Sequence, residues 1–392
     1  MRVAIDITAA ATQQAGIGRS VRELVNALVV QPDRPDLTLV YTRRGPSPAA
    51  DALSVHERVR VRRIPVSPRI ALAAWFKARA PLPGEAMAGR ANVFHGPDFT
   101  LPPLVASHGV VTVHDLSYVI RPQDAHPRQR RFLEKAVPKS IDRARLVIAV
   151  SEATRRDLMQ RYGVRPHRIR VVPNAVPDWF GPIADDEELA AVRRRLGLPE
   201  RFVLSVGTIQ PRKNIAGLAR AVALASARTG SPAVEHVHAG GEGWLCDQVY
   251  AAIEQAGDRV RFVGRVDDQT LRALYSLASA YAYPSHGEGF GITILEAFAC
   301  GCPVLTSDTP ATIEVAAGGA LALDPEDPEA LADGLITLLT DETARDDLVE
   351  RGQQRRWDFS WRQSARRLLE VYREAAAGPP APPVPAQTRA AG

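Results

Sequence analysis

Short apolar runs alternate with stretches of helical periodicity along most of this chain, and the whole pattern occurs twice. In residues 1–175 the runs fall at 3–7, 37–41, 59–64, 93–95, 110–114 and 146–150; in residues 176–360 they fall at 202–206, 234–239, 260–263, 280–284 and 304–307. Runs of this length without polar alternation predict strands buried on both faces, and strands separated by helices pair in parallel. The expected architecture is therefore α/β, with two Rossmann-like parallel-sheet domains. A chain of 392 residues has room for two such cores. Residues 172–183, with Pro173, Pro177, Gly181 and Pro182, read as a linker between domains at 1–175 and 176–360. A last helical segment occupies 361–377, and the Pro/Ala-rich tail at 378–392 predicts disorder.

Chemistry concentrates where these runs end. The stretch HGEGFGITILEAFACG, His286 to Gly301, sets Glu288 and Glu296 eight residues apart. Gly287, Gly289 and Gly291 let the backbone around Glu288 approach a ligand closely or adopt positive φ. From about Thr293 the residues turn helical, with Gly301 placed to stop the helix, so Glu296 is expected in the first turn, beside free N–H groups. A loop carboxylate, a helix carboxylate and bare amides between them suit a ligand with hydroxyls at both ends and phosphate in the middle. That describes a nucleotide sugar.

Two further strand ends make the same demand. The run at 202–206 is broken by Gly207 and Pro211, and Asn214 is expected to cap a helix from Ile215 to about Ala227. Arg212 and Lys213 then sit at a strand-to-helix turn, where α/β sheets put their ligand crevice, and can hold a diphosphate. In the first half, the run at 110–114 ends in His114-Asp115, and Gly16-Ile-Gly18-Arg19 opens a helical pattern after the first strand. That glycine pair lacks the third glycine of a dinucleotide fingerprint.

Charge is unevenly distributed. Residues 1–175 carry 28 Lys+Arg against 14 Asp+Glu, net +14, while residues 176–392 carry 21 against 30, net −9. A basic first half suggests an anionic partner for that half. Arg58, Arg60, Arg62 and Arg63 form one cluster; Arg128, Arg130, Arg131, Lys135 and Lys139 form another. Between them residues 70–79, with Trp75 and Phe76, fit either a surface-seeking amphipathic helix or a core helix. Nucleic acid is set aside as a partner, since no reader motif accompanies the charge. Cys246, Cys300 and Cys302 cannot form a disulfide framework, and the Cys300-x-Cys302 pair has no second ligand pair for zinc. With no leader-like start and no apolar run near 18 residues, a cytoplasmic, reduced protein is expected.

Taken together, these segments resemble family 4 of the retaining glycosyltransferases over roughly residues 1–375. The Glu288-x7-Glu296 block carries most of the likeness. VGTIQPRKN from Val206, VHDLS from Val113, VSEATRRDL from Val150 and VVPNAV from Val171 are similar to the family's other recurrent segments. The first two are worded most like bacterial mannosyltransferase-type members. Asn174-Ala175 departs from the Asn-Gly often found there, which touches no group expected in catalysis.

The resemblance implies the GT-B fold, two domains facing a cleft, with the 361–377 helix crossing back to the first. It assigns Glu296 to the nucleotide's ribose hydroxyls. Glu288 is assigned to the donor sugar's hydroxyls, helped by the amides of Phe290, Gly291 and Ile292. Arg212 and Lys213, with the Gly207 turn, would take the diphosphate; Gly16 and Gly18 would bring amides to the phosphate from the opposite wall; His114 would touch the transferring sugar near its anomeric centre. The implied reaction retains anomeric configuration. A front-face displacement is expected, with no cofactor and no metal, because the basic pair neutralises the leaving group. GDP-mannose is the favoured donor. The acceptor would be a glycan or a lipid diphosphate, with the basic domain resting peripherally on an anionic membrane. The alternatives are a phosphorylase or disaccharide synthase on the same fold, and a non-catalytic nucleotide-sugar-binding protein.

Overall fold

The computed structural model describes residues 1–13, 16–77, 82–229 and 234–378. The strands of the first half are β1 Arg2–Asp6, β2 Asp36–Thr42, β3 Val59–Ile64, β4 Val93–Gly96, β5 His108–Val113, β6 Ala144–Ala149 and β7 Ile169–Val171. Those of the second are β8 Phe202–Val206, β9 Glu235–Ala239, β10 Val260–Gly264, β11 Ala280–Tyr283, β12 Val304–Ser307 and β13 Leu321–Leu323. They form two sheets, ordered β3-β2-β1-β4-β5-β6-β7 and β10-β9-β8-β11-β12-β13. Every pairing within them is parallel. The central strands are buried on both faces, as their unbroken apolar runs require.

In each sheet the strand order reverses direction once, between β1 and β4 and between β8 and β11. Loops leaving the carboxyl ends of strands beside such a point diverge to opposite faces and open a crevice. The Gly16 turn, the 207–214 turn and the 284–291 loop all leave strands at these points.

The last helix, Trp361–Ala377, returns to the first sheet. Its Leu368, Leu369, Val371, Tyr372 and Ala375 join Val3, Ile5 and Leu37 in one core. Tyr372 also hydrogen-bonds the buried His95 through Nδ1 at 2.8 Å. The segment at 172–183 is irregular but anchored, with Val172, Ala175, Val176 and Phe180 buried.

Of the two readings of 70–79, the structure decides against the surface-seeking helix and for the core helix. The helix there runs Pro68–Phe76, and both Trp75 and Phe76 are buried. Phe76 meets Phe132 edge-on at 5.8 Å, Arg143 lies 5.2 Å over its face, and Trp75 donates to the Leu82 carbonyl at 3.0 Å. The aromatic pair that would have anchored a membrane helix is core. Ala78 and Arg79, like the tail at 379–392, lie outside the described residues. Arg58 and the arginines of β3 also have a local explanation. β3 is an edge strand, and Arg60, Arg62 and Arg63 are exposed along it, which discourages pairing with another chain. No described helix is long and apolar enough to cross a membrane.

Candidate active site

A cleft of about 1000 Å3 opens between the two sheets. Its wall includes Gly16, His114, Gly207, Arg212, Lys213, Glu288, Phe290, Gly291, Ile292 and Glu296. Gly18 is not on that wall. It is buried, and a Cβ there would overlap the Gln13 carbonyl oxygen, so its lack of a side chain serves helix packing.

Arg212 and Lys213 lie in a short turn after β8, and Glu288 in the loop after β11, so neighbouring strands bring the three together. Arg212 Nη1 is 2.6 Å from Glu288 Oε2, and Lys213 Nζ is 2.8 Å from Oε1. Ser285 donates to Oε1 at 2.6 Å, and Lys213 donates to the Tyr283 hydroxyl at 2.7 Å. Glu288 is only 9% exposed. Burial alone would push its carboxyl up, but the two cations and their hydrogen bonds hold it down at about 2. Burial, against the pull of Glu288, leaves the Lys213 ammonium below its ordinary value. The basic pair expected from the sequence is therefore a triad of net charge +1.

The glycines set the path of these turns. Gly207 and Gly291 take φ of +146° and +109°, where side chains are strained. A Cβ on Gly289 would overlap the His114 carbonyl oxygen, so that glycine permits contact between the domains. Ser151, N-cap of the helix Glu152–Tyr162, donates to the Gly289 carbonyl at 2.7 Å. The VHDLS, VSEATRRDL and EGFG segments thus meet at one point. Beside it, the amides of Glu152 and Ala153 each donate to Glu314 at 2.8 Å, and Trp244 donates to the Asp124 carbonyl at 2.7 Å.

His114 follows β5 directly. Its Nε2 lies 2.7 Å from the Pro97 carbonyl, which can only accept, so Nε2 carries the proton and Nδ1 is the acceptor when the ring is neutral. The Gly207 turn is fixed from below by similar logic. His238 Nε2 donates to the Gly207 carbonyl at 3.0 Å, so its Nδ1 accepts from Ser205 at 2.8 Å, and Ser205 accepts from His236 Nε2 at 2.7 Å. Burial pushes His238 down to about 4 and His236 to about 3, which keeps both neutral and this proton order intact.

Two local expectations are corrected. Asn214 stands at the expected N-cap position, its carbonyl accepting from the Leu218 amide at 3.0 Å, but its side-chain amide donates away from the helix. It adopts a left-handed conformation, φ +52°, and its side chain donates to the Pro325 carbonyl at 2.6 Å. Glu296 lies one turn inside the helix Ile292–Ala299 and does not reach its free amides. It is 2% exposed, accepts from Arg19 Nη1 at 2.9 Å and from the Tyr275 hydroxyl at 3.1 Å. Burial pushes its carboxyl up, with Arg19 pulling back. Arg19 and Tyr275 carried no sequence signal of their own: Arg19 stood inside the Gly16 turn, and Tyr275 inside an ordinary amphipathic helix.

Two parallel-sheet domains that face each other across a cleft, with carboxylates and cations gathered at their switch points, have the GT-B architecture. Comparison with known proteins agrees. The family described as "Glycosyltransferase Family 4" matches residues 15–179, and "Glycosyl transferases group 1" matches residues 189–355. The chain is 32% identical over 285 residues to the O-antigen chain mannosyltransferase B of Escherichia coli, covering 72% of this chain and 74% of that protein. It is 35% identical over 288 residues to a D-inositol 3-phosphate glycosyltransferase of Salinispora arenicola, covering 68% of this chain but 64% of that relative. The fold matches the Anabaena Alr3699/HepE protein solved with UDP-glucose, with a TM-score of 0.71 over 95% of this chain and 100% of that one, at 18% identity. The chain belongs to glycosyltransferase family 4, and it is a glycosyltransferase with mannosyltransferase-like relatives.

Proposed function

We propose that this enzyme transfers a hexose, mannose in the first instance, from a nucleotide-diphosphate sugar to a glycan or lipid-diphosphate acceptor, with retention of configuration. The observation that carries this reading is the Arg212–Lys213–Glu288 triad, set across the cleft from His114 with Glu296 farther along the wall. The donor's diphosphate lies on the triad. Arg212 and Lys213 keep N–H donors beyond those given to Glu288, and preorganised donors aimed at developing charge typically lower a barrier by about 3 kcal/mol each. The sugar lies toward His114 and the 290–292 amides, and the ribose toward Glu296. Displacement proceeds on the front face, the departing phosphate taking the acceptor's proton. The two cations supply the electrophilic charge, so the reaction needs no metal or other cofactor. GDP-mannose is the expected donor, on the wording shared with mannosyltransferase-type relatives.

The first domain meets its anionic acceptor or an anionic membrane through the helix Pro127–Arg143, on which Arg128, Arg131 and Lys135 are exposed. The protein would then work at the cytoplasmic face.

The test incubates the enzyme with GDP-mannose, UDP-glucose and other nucleotide sugars, with glycan and lipid-diphosphate acceptors, and reads the product's anomeric coupling by NMR. An α-mannoside from GDP-mannose supports the reading. Transfer only from another donor removes the mannose assignment. A β product removes retention, and turnover that requires inorganic phosphate turns the enzyme into a phosphorylase.

A further inference from the structure

Arg19 and Glu296 come from different domains, yet they form a buried pair. Arg19 leads from the Gly16 turn into the helix Ile17–Val29, and its side chain is 14% exposed. Its guanidinium lies 5.6 Å from the centre of the Phe180 ring and reaches Glu296 at 2.9 Å and Asp268 at 3.4 Å. Asp268 is 51% exposed and well solvated, so the partner that depends on Arg19 is Glu296. Arg19 Nη2 is buried and has no hydrogen-bond partner among the described residues, although the side chain lines the cleft.

Resting on the reading of Glu296 as the ribose-binding carboxylate, we propose that Arg19 is a positioning residue for the nucleotide. Reaching across the cleft, it holds Glu296 ionised and aimed, so the ribose site of the second domain is complete only with the first domain closed against it. The chemistry is simple. A ribose diol offers two O–H donors, and an ionised carboxylate accepts both. A buried carboxyl without a cation takes up a proton and turns one acceptor into a donor. The other titratable groups facing the pair are Glu23, Asp268, Tyr275, Tyr281 and Cys300, and none is a cation. Among the described residues, Arg19 is the cation in contact with Glu296.

The experiment measures GDP and UDP binding calorimetrically for the wild type, Arg19→Met and Arg19→Lys, from mildly acidic to mildly alkaline pH. The wild type is expected to bind one of them with a flat profile. Arg19→Met should bind about tenfold more weakly at neutral pH and recover as pH rises and Glu296 ionises, while Arg19→Lys should restore the flat profile. Equal affinity and a flat profile in Arg19→Met would overturn the proposal with the nucleotide site intact. Wild-type protein that binds neither nucleotide would overturn the ribose reading and this inference with it. Should Arg19→Met not fold, hydrogen–deuterium exchange on the wild type decides. Nucleotide is expected to protect residues 17–29 of the first domain; protection confined to the second domain overturns the proposal.

Discussion

Glu288→Gln isolates the triad with almost no change of shape. A carboxyl held at about 2 against its ordinary 4.5 has its charged form favoured by about 3 kcal/mol in the folded protein. The amide cannot supply that charge, and Arg212 and Lys213, 12% and 14% exposed, lose their counter-ion. Breaking a buried pair from one side costs about 3–5 kcal/mol, in agreement with that figure. For a domain of about 150–250 residues each kcal/mol moves Tm by roughly 2–4 °C, so a drop of about 6–12 °C is expected. The folded-state value lies below the unfolded one, so the stabilisation is complete above about pH 4.5 and is lost as pH falls toward 2. The gap between wild type and variant should close over that window. Nucleoside diphosphate should have the opposite effect on the variant. Its phosphates replace the missing carboxylate, so GDP or UDP should bind Glu288→Gln more tightly and restore more Tm than in the wild type, while turnover falls. Scanning calorimetry with and without nucleotide reads both effects. An unchanged Tm, or weaker nucleotide binding in the variant, would refute the claim that Glu288 is the resident counter-ion of the phosphate site.

Gly289→Ala places a methyl against the His114 carbonyl; forcing the domains apart is expected to cost about 1–3 kcal/mol of stability and to abolish most transfer, which activity and thermal melts would check together. Phe76→Ala should destabilise by about 3–5 kcal/mol, as a core aromatic does. Its vesicle partitioning, measured by sedimentation on the folded protein, should match the wild type, and a selective loss of membrane binding would reinstate the surface-helix reading. Initial rates of transfer should persist in excess EDTA, because Arg212 and Lys213 carry the phosphate charge; loss restored by Mg2+ would sink that expectation.

The fold was legible because buried parallel strands announce themselves: β3, β8 and β12 have the bounds expected from their apolar runs. β7 and β13 were missed because each is a three-residue edge strand, Ile169–Val171 and Leu321–Leu323, too short to establish a period. The site was legible as a set of residue types at strand ends, and the contacts among those residues were not. Nothing in the spacing of Arg212 and Glu288 says that a turn after β8 and a loop after β11 converge, because that depends on β8 and β11 being neighbours. Arg19 and Glu296 are 277 positions apart and meet only through the packing of one domain on the other. The open choice at 70–79 and the side-chain cap missing at Asn214 share a cause: an aromatic pair flanked by cations, or an Asn before a helix, has the same local appearance whatever the tertiary structure does with it.

The same geometry gives the charge asymmetry a second meaning. A first half at +14 beside a second at −9 reads, from sequence, as an anionic partner for the first. Arg19 meets Glu296 and Asp268 across the cleft, and Arg121 lies 3.5 Å from Glu326, so part of the asymmetry is spent between the domains themselves. The three first-domain arginines that line the cleft, Arg19, Arg121 and Arg130, all have acidic partners, Arg130 in Glu134 at 2.8 Å. Some of the positive charge of the first domain is therefore accounted for before any membrane or acceptor is considered.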